Sequence, residues 1–288
     1  MSDSAPQFNP DAYKETMRKQ WQQAGEAWYR WGPKIEEWLR PVTDAMVESA
    51  AIEEGYRVLD IAAGAGEPAV TVAKLVGPTG SVLATDISSV ILGFARRHAE
   101  EEGVSNLETR VMDGESIDLP EASFDAAVSR LGLIYFPDRI RTLRQIHRVL
   151  RGEGRVAVVG ITSPMANPFS AITMKVIAAR ANLPPPRPGG PGPFSLGSPA
   201  LMREALESAG FEDVKTRVVD APLRMESASQ CARFQREAFA GLDQLLSALP
   251  ASGREAAWDE VAAQLGPLES GGRFVSDAQF IVGSGARD

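Results

Sequence analysis

Residues 57–69 read Arg-Val-Leu-Asp-Ile-Ala-Ala-Gly-Ala-Gly-Glu-Pro-Ala, and this stretch decides the fold of the chain. The pattern indicates an apolar strand that ends near a carboxylate, followed by a glycine turn and the start of a helix. Gly64 and Gly66 allow the backbone to approach a ligand closely. Pro68 suits the first helical position, where free N–H groups face the turn. The stretch therefore predicts a site for a nucleotide-type ligand.

The charges near this turn separate two classes of ligand. Gly64-x-Gly66-x-x-Ala69 fits the dinucleotide fingerprint, with an acid about twenty residues further on for a ribose. A pyrophosphate, however, is repelled by carboxylates. Five acids lie in the turn or at the ends of strand-like segments: Asp60, Glu67, Asp86, Asp113 and Glu115. These acids favour a ligand that carries a positive charge.

Strand-like and helical patterns alternate along the middle of the chain. Strand-like runs are predicted at residues 57–61, 81–85, 107–112, 126–129 and 155–161, and again at 213–219 and 278–282. Ser88 is a predicted N-cap of the helix after the second strand, and Gly103 lies just past the end of that helix. Such alternation is typical of an α/β fold, in which helices cover both faces of a mostly parallel sheet.

The order of these motifs resembles that of class I S-adenosylmethionine-dependent methyltransferases. Residues 60–66 resemble the first motif of that family, Asp-x-x-x-Gly-x-Gly, and residues 84–88 resemble the strand end whose acid holds the ribose hydroxyls. Residues 112–115 resemble the segment that closes on adenine. Residues 124–130, 136–138 and 150–155 resemble the fourth strand, its exit and the turn into the fifth strand. The similarity is greatest to the small-molecule methyltransferases of ubiquinone and menaquinone biosynthesis, and it runs from about residue 28 to the C-terminus.

This resemblance implies a Rossmann-like fold with a seven-stranded, mostly parallel sheet and helical lid insertions. It implies S-adenosylmethionine as the cofactor and S-adenosylhomocysteine as the product. The cofactor-binding residues that it implies are Tyr29, Asp60, Ala62, Gly64, Gly66, Asp86, Ile87, Asp113, Gly114 and Arg130. Ala62 departs from the family, which commonly has Gly at this position. The implied reaction is in-line transfer of a methyl group to an O, C or N atom of a small, largely apolar molecule, either a secondary metabolite or a quinone-like compound.

Composition sets the limits of this interpretation. The chain has 288 residues, is 44% hydrophobic, and carries a formal net charge of −8. That charge disfavours nucleic acid and anionic membranes as partners. The single cysteine, Cys231, excludes an internal disulfide and a thiol metal cluster, so no metal is predicted. The N-terminus lacks a signal-peptide pattern, which favours a cytoplasmic protein that acts on a small molecule. The oligomeric state stays open.

Two segments interrupt the alternation, and both follow predicted strands. Residues 1–51 are predicted to form an N-terminal helical cap, with breaks at Gly32-Pro33 and Pro41, and residues 52–288 the methyltransferase domain. The interruptions, at about 163–198 and 226–271, are interpreted as lid insertions. Because parallel sheets bind ligands at the carboxyl ends of their strands, these segments and the cap are expected to cover the ligand crevice.

Few side chains are candidates for catalysis, because methyl transfer requires mainly positioning and exclusion of water. Tyr135 is the predicted catalytic residue, since it follows the fourth strand, where acceptors approach the methyl group in the family. His98 is predicted to face solvent, and His147 is predicted to pack at the edge of an apolar helix face.

Several alternatives stay open at this stage. Arg130 either contacts a ligand carboxylate or forms an ion pair with Asp125 or Asp60. The aromatic residues 28–31, Tyr29 among them, either cover the cofactor or pack a helix on the sheet. The chain is either an enzyme or a non-catalytic subunit that binds the cofactor or a partner. A nicotinamide-dependent oxidoreductase is disfavoured, because the chain has no Tyr-x-x-x-Lys pair and its turn is acidic.

Overall fold

The computed structural model describes residues 8–185, 187 and 189–288. The α-helices are α1 Pro10–Arg30, α2 Gly32–Ser49, α3 Ala69–Val76, α4 Ser89–Glu101, α5 Arg139–Val149, α6 Pro168–Arg180, α7 Pro199–Ser208, α8 Ala228–Ala238, α9 Ala240–Leu245 and α10 Ala251–Leu265. The strands are β1 Arg57–Ile61, β2 Ser81–Asp86, β3 Leu107–Val111, β4 Phe124–Arg130, β5 Leu150–Ile161, β6 Glu212–Asp220, β7 Leu223–Met225, β8 Glu269–Ser270, β9 Arg273–Ser276 and β10 Gln279–Ala286. Short 3₁₀ turns span Leu133–Tyr135, Pro164–Ala166 and Gly266–Leu268.

The central sheet has seven strands in the order β3-β2-β1-β4-β5-β10-β6. Strands β1 to β5 pair in parallel, whereas β10 runs antiparallel to both β5 and β6. The carboxyl ends of β1, β2, β3 and β4 therefore lie along one edge of the sheet. The predicted Rossmann-like α/β fold with a mostly parallel seven-stranded sheet is confirmed.

Both faces of the sheet are buried, and the alternation of side chains along the strands explains how. Val58 and Asp60 of β1 share the face that packs against α2 and α3, whereas Leu59 and Ile61 share the face covered by α5 and α7. Parallel strands covered on both sides are expected to be mostly apolar. The buried polar residues of β1 and β4 are Asp60, Ser129 and Arg130. The burial of the Asp60 carboxylate requires an explanation.

The local signals were accurate at most boundaries. Ser88 caps α4 by accepting a hydrogen bond from the Ile91 N–H, and Gly103, with φ of 67°, follows the end of the helix. Pro68 occupies the N-cap of α3, one residue before the predicted position. Pro41 lies inside α2 and does not interrupt it, contrary to the prediction.

A second, three-stranded antiparallel sheet was not predicted from the sequence. It has the order β7-β9-β8. Its strands have between two and four residues, too few for alternating hydrophobicity to identify them. The rest of the segment that follows β7 is helical, as predicted.

Helix α1 of the cap lies at the carboxyl edge of the sheet, whereas α2 packs on one face of the sheet, against β4, β5, β6 and β10. Helix α1 packs against α4, α8 and α9, so the second insertion covers α1. The first insertion reaches the exit of β4, where the Gly192 N–H and the Ser195 hydroxyl both donate to the Ile134 carbonyl, at 2.8 and 3.0 Å. The division into residues 1–51 and 52–288 stays a prediction. No helix in the described part of the chain is both long and apolar enough to cross a membrane.

Candidate functional site

The glycine turn, residues 62–68, has the backbone conformation that the sequence suggested. Gly64 and Gly66 have φ of 59° and 108°. Ala62, where the family commonly has Gly, also has a positive φ of 57°, and Leu131 at the exit of neighbouring β4 has a φ of 64°. Left-handed backbone is costly for residues with a Cβ atom, and such conformations cluster at functional sites. Ala62 and Leu131, both with left-handed backbone, thus lie side by side at the carboxyl edge of the sheet.

Asp60 is the most unusual side chain of the site. It is fully buried, and neither of its carboxylate oxygens has a hydrogen-bond partner among the described residues. Burial raises the pKa of Asp60 well above its ordinary value, an effect that the charge of Arg130 opposes only in part. A buried carboxylate without partners is strongly destabilising unless a cation accompanies it.

Arg130 ends β4 on the same face of the sheet. Its guanidinium donates to the Thr43 hydroxyl at 2.7 Å and to the Glu67 carbonyl at 3.0 Å, so it ties the glycine turn to α2. Burial lowers its pKa. Among the alternatives for Arg130, an ion pair with Asp125 is wrong, because Asp125 lies near the opposite end of β4 and pairs with Arg151 at 2.6 Å. Arg130 forms no ion pair with Asp60 either, within the described ranges.

Asp86 joins the end of β2 to the glycine turn. Its two carboxylate oxygens accept from the Gly64 N–H at 3.2 Å and from the Ser88 N–H at 2.9 Å. Burial raises the pKa of Asp86 to about 6. Ile87 follows immediately and is half-buried. The two predicted cofactor residues thus border the turn.

The segment after β3 contains a contact that the sequence did not indicate. Lys14 of α1 lies 2.8 Å from an oxygen of Asp113 and 2.6 Å from an oxygen of Glu115. Asp113 belongs to the segment that resembles the one closing on adenine, and its Oδ2 already accepts from this ammonium. Gly114 packs against Phe136, where a side-chain methyl group would lie 2.7 Å from the ring. No local pattern marks Lys14, since 99 residues separate it from Asp113.

Tyr29 does not point toward the glycine turn. Its hydroxyl donates to Glu101 on α4, and its ring stacks on Phe94 with centroids 5.3 Å apart. The hydroxyl is thereby held at the outer surface of α4, and the role of Tyr29 in cofactor binding stays a prediction. The aromatic residue that reaches the turn is Trp28, whose Nε1 would lie 3.6 Å from a methyl group on Gly64.

Trp28 belongs to a series of rings, here called the aromatic chain, made of Tyr135, Trp21, Trp28 and Phe239. Each ring meets the next edge-on, with centroid separations of 6.1 Å, 5.5 Å and 5.5 Å in that order. The aromatic chain connects the exit of β4 to the glycine turn and to the second insertion. Tyr135, the predicted catalytic residue, is half-buried, and burial raises its pKa to about 12.

Neither histidine lies in this site. His98 occupies the last turn of α4, away from the carboxyl edge. His147 packs edge-on against Phe211 with a centroid separation of 5.0 Å, and burial lowers its pKa. Cys231 is buried beside Gln235, and no cluster of three metal-ligating side chains occurs among the described residues.

We therefore expect His98→Ala and His147→Ala to retain most of any turnover, when each is compared with the parent chain at equal folded fraction. Steady-state kinetics is the measurement. His147→Ala should still lower stability, because the contact with Phe211 is lost. A drop of about a hundredfold in the turnover of the folded His147 variant, the lower range for losing an acid–base group, is the contrary result.

The chain is similar in sequence to known methyltransferases. The model of the ubiE/COQ5 methyltransferase family matches residues 36–178. Nocamycin O-methyltransferase of Saccharothrix syringae is 29% identical over 203 residues, which cover 67% of this chain and 72% of that protein. The ubiquinone/menaquinone biosynthesis C-methyltransferase UbiE of Ralstonia pickettii is 34% identical over 134 residues, 46% of this chain and 55% of that protein. The chain thus matches about half the length of the UbiE relatives.

Solved structures share the fold at low sequence identity. A protein of Bacillus halodurans C-125 is 20% identical with a TM-score of 0.57, covering 85% of this chain and 98% of its own. The [4+2]-cyclase SpnF is 20% identical with a TM-score of 0.54, covering 92% of this chain and 96% of its own. The match over residues 36–178 includes the glycine turn, Asp86, Asp113 and Arg130. The chain belongs to the class I S-adenosylmethionine-dependent methyltransferases, and within that class it is of the ubiE/COQ5 type.

Proposed function

We propose that this protein binds S-adenosylmethionine at the glycine turn and transfers its methyl group to a small, largely apolar acceptor. The bound cofactor supplies an electrophilic methyl group on a positively charged sulfur. The residues of the chain then have to hold that cofactor, orient the acceptor and exclude water.

Asp60 is the observation that carries this proposal. A fully buried carboxylate with two unbonded oxygens requires a cation or hydrogen-bond donors. The methionyl ammonium of S-adenosylmethionine is such a group, whereas the pyrophosphate of a nicotinamide dinucleotide would add negative charge beside Asp60 and Asp86. The carboxylates at the glycine turn therefore suit the positively charged S-adenosylmethionine better than a dinucleotide.

The remaining predicted residues supply contacts of the kinds that a nucleoside needs. Asp86 has carboxylate oxygens at the turn that suit ribose hydroxyls, and Ile87 offers an apolar surface beside them. Ala62, Gly64, Gly66 and Gly114 contribute backbone close to the ligand, and Arg130 fixes the turn against α2. Asp113 is the proposed acceptor for the adenine amino group. Its bond to Lys14 then has to be shared or exchanged when the nucleoside binds.

The aromatic chain favours an apolar acceptor. Its rings cover the carboxyl edge between β4 and the second insertion, so they provide apolar contact area and limit access of water. We propose O or C as the methylated atom, since the relatives are named as O- and C-methyltransferases, and a secondary metabolite or quinone-like compound as the acceptor.

Two measurements test the proposal. Titration calorimetry should detect binding of S-adenosylmethionine and S-adenosylhomocysteine, and much weaker binding of a nicotinamide dinucleotide. Tighter binding of the dinucleotide would exclude the proposed function. Assays with labelled S-adenosylmethionine and a panel of phenols, quinols and carboxylic acids should then detect transfer. Binding without transfer to any acceptor that binds would favour the alternative of a non-catalytic subunit.

We expect Asp86→Ala to weaken cofactor binding by about 1–3 kcal/mol, the cost of removing a charged hydrogen-bond acceptor. Calorimetric dissociation constants for S-adenosylhomocysteine measure this change. Asp118→Ala is the control, because Asp118 is an exposed acid in the loop before β4. An unchanged constant in Asp86→Ala would mean that the ribose is held elsewhere.

A further inference from the structure

We propose that Lys14 is a positioning residue that keeps α1 closed over the cofactor site, so that cofactor and product exchange only when its ion pairs open; this inference rests on the proposed function. Lys14 lies on the second turn of α1, and two acids of the segment that follows β3 share its ammonium. We call this contact the Lys14 bridge. It controls the rate of ligand exchange and takes no part in the transfer step.

The Lys14 bridge is short and largely shielded from solvent. The Lys14 ammonium lies 2.8 Å from Asp113 Oδ2 and 2.6 Å from Glu115 Oε2. The side chains of Lys14 and Glu115 are only 18% and 5% exposed. Burial lowers the pKa of Lys14, but its hydrogen bonds to the two acids outweigh this effect and raise the pKa, so Lys14 is charged at neutral pH. Such ion pairs are costly to break, because the separated charges lose their partners.

The two acids of the bridge are fixed by backbone groups around the site. Asp113 Oδ1 accepts from the Glu115 N–H at 2.9 Å, and Glu115 Oε1 accepts from the Asp138 N–H at 2.8 Å. Asp138 in turn is the N-cap of α5, where it accepts from the Arg141 N–H. Each acid thus presents its second oxygen to Lys14. The bridge therefore ties α1 both to the segment after β3 and to the start of α5.

Beyond the bridge, α1 crosses the carboxyl edge of the sheet. Gly25 packs on α4, where an added methyl group would lie 3.4 Å from the Phe94 ring. Further along, Trp28 Nε1 would lie 3.6 Å from a methyl group on Gly64. Helix α1 therefore extends from the segment after β3, past the helix that follows β2, to the glycine turn after β1. These three strand exits border the proposed cofactor site, so α1 covers that site.

The C-terminal end of α1 is attached independently of the bridge. The Tyr29 hydroxyl donates to Glu101 of α4. Glu237 of α8 accepts from the Arg30 guanidinium and from the Trp31 indole N–H, at 2.8 Å each. Opening of the Lys14 bridge therefore releases the start of α1 from the segment after β3, while the other end of the helix stays attached.

Opening of the bridge also frees the acid that is proposed to bind adenine. Asp113 Oδ1 is engaged by the backbone, and Lys14 occupies Oδ2. A nucleoside that enters the site has to displace the ammonium or share this oxygen with it, and the departing product has to pass the same helix. The bridge thus lies on the path of association and of dissociation, as lid contacts of enzymes commonly do.

Stopped-flow fluorescence with S-adenosylhomocysteine tests this inference, because Trp21 and Trp28 of α1 are intrinsic probes near the site. Lys14→Met keeps the length of the side chain and removes its charge. We expect the association and dissociation rate constants both to rise at least about tenfold, since a hydrogen bond to a charged group changes an equilibrium by at least that factor. The dissociation constant should change less than either rate. Lys14→Arg, which keeps the charge, should exchange slowly, like the parent chain.

Lys19→Met is the matched control. It makes the same change on the same helix, where the ammonium is exposed and pairs with Glu15 within the helix at 3.4 Å, so both rates should equal those of the parent chain. Glu115→Gln weakens the bridge from its other side and should also speed exchange. Combined with Lys14→Met it should add little, because the two residues act through one contact. Thermal melts verify that each variant is folded.

Unchanged rates in Lys14→Met would overturn the inference. A rise confined to the dissociation rate would also overturn it, because Lys14 would then hold the ligand and not the closed helix. Hydrogen exchange of the protein without ligand is a second readout: amides at the start of α1 should exchange faster in Lys14→Met but not in Lys19→Met. If S-adenosylhomocysteine does not bind, the proposed function fails, while hydrogen exchange still decides whether the bridge keeps α1 closed.

Discussion

Asp60→Asn should lower the affinity for S-adenosylmethionine and at the same time stabilise the ligand-free protein. The substitution keeps the shape of the side chain and removes its charge. A charged hydrogen bond contributes about 1.5–3 kcal/mol, so we expect the dissociation constant to rise by about 10- to 100-fold. The stabilisation follows because the parent protein buries a carboxylate that has no hydrogen-bond partner among the described residues. Calorimetry and thermal unfolding measure the two effects.

The stabilisation by Asp60→Asn should depend on pH in a defined direction. Burial raises the folded-state pKa of Asp60, so the folded protein retains a proton that the unfolded chain releases above about pH 4. The contribution of this group to stability is therefore complete below that pH and is lost as the pH rises through the raised pKa. Asp86 and Glu67 also have raised pKa values. The loss of stability with rising pH should therefore be smaller in Asp60→Asn than in the parent chain, but it should not vanish.

Asp125→Asn is the matched control for this experiment. It makes the same chemical change near the opposite end of a neighbouring strand, where the carboxylate pairs with Arg151. We expect cofactor affinity to be unchanged there. If Asp60→Asn binds the cofactor as tightly as the parent chain does, the buried carboxylate does not hold the methionyl ammonium.

Gly132→Ala should destabilise the protein by roughly 1–3 kcal/mol, the usual cost of overpacking a dense interior. Gly132 has an ordinary helical backbone, with φ of −82° and ψ of −49°, so the effect is steric. A methyl group at this position would lie 2.4 Å from the Cβ atom of Ala62 and 2.9 Å from the Ser129 hydroxyl. Because the glycine turn has to move, cofactor affinity should also fall. Chemical denaturation and calorimetry measure the two changes.

Ala62→Gly tests the assigned contact in a double-mutant cycle. It removes the closest atom and also relieves the positive φ of Ala62, so it should restore part of the stability that Gly132→Ala loses. Gly266→Ala is the control, since no atom in the described part of the chain lies within 4 Å of a methyl group at this position. Strictly additive effects of the two substitutions would mean that the β1 and β4 exits are not coupled through this contact.

The sheet and the glycine turn could be predicted because their signals are local. Strand and helix patterns alternate over short windows, and a parallel sheet then brings the acids at the strand ends to one edge. Ser88 and Gly103 mark the ends of α4 through interactions within a few residues, and the structure agrees with both. The three-stranded sheet escaped prediction because its strands are too short to show a period.

The contents of the site were less predictable, because they depend on how distant elements pack. Tyr29 and Trp28 are adjacent in the sequence, yet the orientation of α1 directs Tyr29 to Glu101 and Trp28 to Gly64. Whether Arg130 forms an ion pair with a neighbouring acid also depends on packing, because α2 supplies Thr43 as its hydrogen-bond partner. No local sequence pattern predicts the contact of Lys14 with Asp113 and Glu115.

The sequence by itself determined the α/β sheet, the glycine turn and the acidic character of the proposed cofactor site, since these follow from local periodicity and from the order of the strands. Only the tertiary structure decided that Asp60 is buried without hydrogen-bond partners among the described residues. It also decided that Lys14 contacts Asp113 and Glu115. Both features arise where α1 and α2 pack across the sheet, and a side chain's partners and pKa depend on that packing rather than on its neighbours in the sequence.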